Sequence, residues 1–232
     1  MDDPVRRQLP NLLTIARVVL SVVFFAIVAI TLWPQGVVDI ADRQFWGNVA
    51  VGIFIVAAAT DFADGWLARR WKVVSMFGRV MDPFGDKLLV IGTFVLLASP
   101  AFLDVTTLPG GEIAISQGPG APATMSTGVR PWMVLVILGR ELLVTSIRGM
   151  IEGMGLQFAA GWSGKWKMVL QSIAAPLALF VAVNPFALDS SGWATVRDVV
   201  VWATVLVTAW SAIPYVIRAR RLVDGSDRGA SA

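Results

Sequence analysis

The chain contains no cysteine and no histidine, and only one tyrosine, Tyr215, among its 232 residues. Without thiols there is neither a disulfide framework nor an iron–sulfur cluster. With imidazole missing as well, a zinc or copper site has almost nothing to bind with, and carboxylate oxygens remain as the metal ligands on offer. The same absences reduce the supply of general bases to little more than carboxylates. Charge is also scarce. Asp, Glu, Lys and Arg make up 15% of the residues, and their small excess of +3 gives no case for nucleic acid as a partner.

Apolar residues, by contrast, are abundant. The chain is 56% hydrophobic with a mean hydropathy of +0.70, far from the balance of a soluble domain. Six segments, 12–33, 46–67, 82–101, 131–152, 167–187 and 197–217, each approach the twenty or so apolar residues that a bilayer crossing needs. The first is too long for a cleavable signal peptide and is followed by no convincing small-residue cleavage site. The expected fold is therefore an all-α integral membrane protein with six transmembrane helices. One domain is expected over residues 1–222, without internal repeats, followed by a flexible polar tail over 223–232. The stretch 103–130, rich in Gly, Pro, Ser and Thr, is expected to be an irregular connection outside the cytoplasm.

Positive charge orients the spans. Only Arg43, Arg130 and Arg197 lie in or beside the connections after the first, third and fifth spans. Arg6, Arg7, Arg69, Arg70, Lys72, Arg218, Arg220, Arg221 and Arg228 lie on the other side. That bias places both termini in the cytoplasm of a multi-pass cytoplasmic (inner) membrane protein, with its basic edge against anionic membrane lipids.

Four aspartates interrupt the apolar pattern. Asp61, Asp64, Asp82 and Asp86 lie between the apolar runs Val49–Thr60 and Leu88–Leu97. A carboxylate at membrane depth costs roughly 2.5 kcal/mol or more, and four together also repel one another. Some cation must offset them. Asp61 and Asp64 are three apart, and Asp82 and Asp86 four apart, so each pair shares one helix face. The polar turn Arg70–Ser75 and Gly78 would let the two helices meet as a hairpin. Their oxygens suit Mg²⁺ or Mn²⁺, with a pair of ions as the natural candidate. An ion pathway, or pairing with nearby Arg and Lys, is the plainer reading of the same residues.

The full pattern Asp-x2-Asp-Gly-x2-Ala-Arg-x8-Gly-x3-Asp-x3-Asp is complete at Asp61, Asp64, Gly65, Ala68, Arg69, Gly78, Asp82 and Asp86. It resembles the motif of the CDP-alcohol phosphotransferases, integral membrane enzymes that make phospholipids from a CDP-linked donor. The side chains agree with that resemblance. Gly65, Ala68 and Gly78 lack bulk, so a nucleotide or phosphate can approach the backbone, and Arg69 offers a fork of donors for a phosphate oxygen. The opening Leu9-Pro10-Asn11-Leu-Leu-Thr14-Ile-Ala-Arg17 resembles bacterial members, in which a short interfacial helix leads into the first span. Asn11 and Thr14 read equally well as helix-entry residues. Arg17, inside the first span, either snorkels to the surface or meets the acidic cluster.

A second polar group lies later in the chain. Arg140-Glu141 interrupts the fourth span, Arg148 follows, and Ser163-Gly164-Lys165-Trp-Lys167 opens the fifth. Arg140 and Glu141 are adjacent and do not share a helix face, whereas 141, 144 and 148 form a stripe. These residues read either as ion pairs and cytoplasmic anchors or as a cationic pocket for an anionic acceptor, formed by Arg140, Arg148, Lys165 and Lys167. Their arrangement resembles the phosphatidylglycerophosphate synthase branch of the family, whose acceptor is sn-glycerol 3-phosphate.

The resemblance implies a metal-dependent transfer from CDP-diacylglycerol by a homodimer, with two Mg²⁺ or Mn²⁺ ions held by Asp61, Asp64 and Asp82, and Asp86 as general base. A carboxylate beside two cations is a weak base, so Asp86 reads equally as a metal bridge. Within the family, inositol phosphate, inositol, serine or phosphatidylglycerol are alternative acceptors. An intramembrane prenyltransferase would lack the Asp-Gly-x2-Ala-Arg element. A transporter would be expected to show inverted repeats and broken helices at matching places in each half, and here the four aspartates of the cluster fall only in the first.

Overall fold

Backbone at membrane depth must satisfy its own hydrogen bonds, which favours helices, and most of each of the six expected segments is helical. A computed structural model describes residues 4–32, 40–71, 76–103, 105–107, 113–115, 125–153, 162–188, 191–217 and 219–220. Helix α1 is Pro4–Ile27 and continues as a π-helical turn over Val28–Leu32; α2 is Ile40–Trp71 and α3 Met76–Leu97. Then come α4, Pro131–Gly153, α5, Trp162–Val183, the four-residue α6, Pro185–Leu188, and α7, Ser191–Trp210. A turn at Ser211–Ala212 leads into a further helical stretch over 213–217. Pro4, Pro131 and Pro185 each open a helix, the position where a missing N–H costs nothing.

Among the described residues, Leu12–Leu32, Gly164–Val183 and Ser191–Ile217 are long and apolar enough to cross a membrane. The other three long helices carry the polar interruptions: Asp61 in α2, Lys87 in α3, and Arg140, Glu141 and Arg148 in α4. Two expectations need correcting. Among the described residues the stretch ahead of the first span is not a separate helix, because α1 runs unbroken through Pro10; a proline can bend a helix without ending it. Nor is 103–130 wholly irregular. Strand β1, Val105–Thr107, pairs antiparallel with β2, Ile113–Ile115, in the register Val105↔Ile115 and Thr107↔Ile113. Two short triplets rich in β-branched residues on either side of Pro109-Gly110-Gly111 carry a hairpin signal that overall composition hides. The tail 223–232 and the turn residues 72–75 lie outside the described residues.

Helix α1 packs on α2 and α3, α5 packs on α2, α3 and α7, and α4 packs on α3 and α7. The core joins Phe24, Phe54, Phe94, Leu97, Phe102, Met133, Ile137 and Leu179, with Phe24 and Phe54 edge to face at 5.8 Å between ring centres. Ala174, Ala175, Ala178 and Ala182 of α5 are buried with them. Small side chains of this kind let membrane helices approach closely, where packing rather than water expulsion drives association.

Cross-helix contacts define the two ends of the bundle. At one end, Arg43 donates to Ala101 O (3.1 Å), Arg197 to Ser126 O (2.5 Å), and Thr127 to Leu97 O (2.8 Å). There too, Asn184 Oδ1 accepts from Gln44 (2.9 Å) and Asn48 (3.1 Å), while its Nδ2 donates to Asn48 Oδ1 (2.9 Å) and Phe180 O (2.8 Å). The aspartates and the Arg140–Glu141 pair lie toward the other end.

Gly47 of α2 lies directly against α5: a Cβ there would sit 2.7 Å from Val183 Cβ. Val183 is β-branched and buried, so it cannot swing away. Gly47→Ala is expected to lower stability by about 1–3 kcal/mol through overpacking. Gly52→Ala, where a Cβ meets nothing within 4 Å, should instead gain up to about 1 kcal/mol of helix propensity. Thermal unfolding in detergent compares the two, and equal midpoints would refute the close contact.

Candidate active site

The two aspartate pairs lie on neighbouring chain segments, Asp61 and Asp64 near the end of α2, and Asp82 and Asp86 in the first turns of α3. The side chain of Asp61 is partly exposed, at 38%, and its Oδ1 lies 2.8 Å from Nη1 of Arg17, a residue of α1 that is only 1% exposed. Of the two fates open to Arg17, the structure shows the meeting with the acidic cluster. The backbone carbonyl of Arg17 accepts a bond from Ser21 Oγ at 2.8 Å. Gly85, between Asp82 and Asp86, is buried and faces α1: a Cβ on it would lie 3.7 Å from Val18 Cγ2 and 3.8 Å from Arg17 Cδ.

The side chains of Asn11, Asp64, Gly65, Ala68, Arg69, Gly78, Asp82 and Asp86 lie outside the described residues; their backbone is helical. Among the described residues no three ligating side chains form a metal cluster. The donor chemistry nonetheless fits a hard divalent cation. The four positions offer carboxylate oxygens alone, and Asp61, the one whose side chain is described, already faces a cation with one oxygen and keeps a second.

The second polar group is assembled by α4, α5 and the turn and helical stretch that follow α7. Arg140, Glu141 and Lys167 are all buried. Glu141 Oε1 accepts from Arg140 Nη1 at 2.8 Å and also from Lys167 Nζ. The adjacency of Arg140 and Glu141 proves no obstacle, since the long arginine arm folds back onto its neighbour's carboxylate. Arg140 Nε donates to Ser211 Oγ (2.9 Å), which in turn donates to Thr208 O (2.7 Å). The guanidinium also lies over the Tyr215 ring, 5.4 Å from its centre, a distance at which the ring face attracts a cation. Gln171 donates to Thr208 Oγ1 at 3.2 Å.

Glu141 and Val144 are buried and Arg148 half-buried, following the 141–144–148 stripe. The Nε of Arg148 is buried and makes no hydrogen bond among the described residues, whereas Lys165 is exposed. Lys87, next to Asp86, donates to Thr145 Oγ1 of α4 at 2.6 Å and so ties the aspartate helix to the basic one. Lys87, Ser211 and Tyr215 were not expected from sequence. A usable signal existed for the last two: Ser211 and Tyr215 are four apart in an otherwise apolar span, hence on one face.

A sequence model of CDP-alcohol phosphatidyltransferases matches residues 7–210, a range that takes in the aspartates and the basic residues from Arg140 to Lys167. The chain belongs to this family. Among the CDP-alcohol phosphatidyltransferases similar to it is the CDP-diacylglycerol–glycerol-3-phosphate 3-phosphatidyltransferase of Bacillus subtilis, 33% identical over 210 residues, 90% of this chain and 93% of that one. Another is a probable phosphatidylglycerophosphate synthase of Mycobacterium tuberculosis H37Rv, 33% identical over 226 residues, 97% of this chain and 87% of its own. A third, from Mycoplasma pneumoniae and named like the first, is 27% identical over 232 residues, 94% of this chain and 88% of its own.

Proposed function

We propose that the protein transfers the phosphatidyl group of CDP-diacylglycerol to sn-glycerol 3-phosphate, giving phosphatidylglycerol phosphate and CMP. The supporting observation is the complete eight-position motif on α2 and α3, in a family member whose full-length relatives are named for this reaction. Asp61, Asp64, Asp82 and Asp86 would hold two Mg²⁺ or Mn²⁺ ions, which would neutralise pyrophosphate and the charge developing on departing CMP. Gly65, Ala68 and Gly78 leave room for the donor, and Arg69 holds one of its phosphate oxygens. Asp86 takes the proton from the primary hydroxyl of the acceptor. That oxygen then bonds to the phosphorus bearing the diacylglycerol as the bond from that phosphorus to the CMP oxygen breaks.

The basic group receives the acceptor's phosphate. Glu141 already engages Arg140 and Lys167, so these two form the inner wall, and Arg148 and Lys165 supply the more accessible charges. In this reading six spans place both termini and the aspartates at the cytoplasmic face of the cytoplasmic membrane, where nucleotide-linked donors are made. The chains associate there as a homodimer.

Purified protein with CDP-diacylglycerol and Mg²⁺ is expected to release CMP with sn-glycerol 3-phosphate, and not with inositol phosphate, inositol, serine or phosphatidylglycerol. Release driven by another of these would keep the donor site and reject the acceptor assignment. Arg148→Ala should raise KM for glycerol 3-phosphate about tenfold or more, as loss of a charged hydrogen bond predicts, and leave that for CDP-diacylglycerol little changed. An unmoved acceptor KM would make Arg148 a membrane anchor.

A further inference from the structure

A guanidinium inside a membrane helix is costly, about 2.5–3.5 kcal/mol on insertion scales, and Arg17 is among the most completely buried side chains in the protein. Its surroundings suggest a use for it. The Arg17 tip meets Asp61 of α2 at 2.8 Å, while its stem passes beside Gly85 of α3, the residue before Asp86, where a Cβ would lie 3.8 Å from Arg17 Cδ. One side chain from α1 therefore bonds one of the two helices that bear the aspartates and lies beside the other. Position 85 has room for a methyl group beside that stem, at ordinary contact distance, and for little more.

We infer that Arg17 is a positioning residue for the metal site: it fixes the Asp61 carboxylate by one oxygen and turns the other toward the ion, while its stem passes beside Gly85. The inference rests on Asp61 being a metal ligand, as proposed above. Outer partners that orient a ligating carboxylate typically affect metal affinity by 10- to 100-fold when removed. A charge that merely balanced four aspartates would act in the opposite sense, because deleting it would leave a more negative site and tighter metal binding.

Mn²⁺ affinity, read from the resonance of free Mn²⁺ over the purified protein without substrates, separates these outcomes. Arg17→Met is expected to weaken Mn²⁺ binding about tenfold or more, and Arg17→Lys, which keeps a single charged donor, to recover part of the loss. Gly85→Ala should bind as the native protein does, since its Cβ would make only ordinary contact with Arg17. Gly85→Leu should weaken binding like Arg17→Met, although Arg17 is still present. Should Arg17→Met fail to fold, Arg17→Lys and the two Gly85 variants carry the comparison. Unchanged or tighter binding in the Arg17 variants, or equal binding by Gly85→Ala and Gly85→Leu, would overturn the inference. A native protein that binds no Mn²⁺ would instead overturn the metal assignment itself.

Discussion

Asp64→Asn is expected to reduce CMP release by about a thousandfold or more and to leave the fold intact. The amide has the shape of the carboxylate but no charge, so the loss falls on cation binding and not on packing. A metal that neutralises a phosphoryl centre supplies several kcal/mol of transition-state stabilisation, and each 1.36 kcal/mol is a factor of ten in rate. Stability measured in EDTA should hold or rise, because one of four mutually repelling carboxylates is gone. The decisive comparison is turnover at saturating Mg²⁺ beside the unfolding midpoint in EDTA. Turnover near the native value would remove Asp64 from the site, and a collapsed midpoint would make its role structural.

The second large effect is one of stability. Glu141→Ala should destabilise the protein by about 3–5 kcal/mol, the usual result of removing one partner from a buried ionic group. Arg140 and Lys167 both donate to the same Glu141 oxygen. Without it, two cations with little access to water would face each other. Glu141→Gln keeps the volume and an acceptor oxygen but still leaves the repulsion, so it should also destabilise. Adding Lys167→Met to Glu141→Gln removes one of the two charges and should recover much of the stability. Unfolding in mixed detergent tests the set. If the double variant is no more stable than Glu141→Gln alone, Lys167 is not held by Glu141 as the structure shows.

Features governed by short-range periodicity could be read from the chain. Twenty-residue apolar runs marked the helices, and the aspartate spacing put each pair on one face, because both depend on neighbours within a turn or two. What escaped depends on distant partners. Arg17 and Asp61 are joined across two helices, and no local rule chooses between that pair and a snorkelling arginine. The Arg140–Glu141 bond was masked by a true statement about helix faces, because the rule describes Cβ directions and not the reach of a five-donor arm. The partners supplied by Ser211 and Tyr215 follow only once α7 is known to lie beside α4. The β1–β2 ribbon was lost in the composition of a long connection, where two triplets weigh little.

Gly47 and Asp61 belong to the same helix, fourteen residues apart, or about 21 Å along its axis at 1.5 Å per residue. The bare contact with Val183 and the amide cluster around Asn184 fasten one end of that rod. With the rod pivoting there, a change of about 5° in its tilt carries the Asp61 backbone by roughly 2 Å. Ligand distances at a metal must hold to within about 0.2 Å. A single hydrogen atom at position 47 thus sets the aim of a carboxylate fourteen residues further along the same helix, and the accuracy of one end is kept by the closeness of the packing at the other.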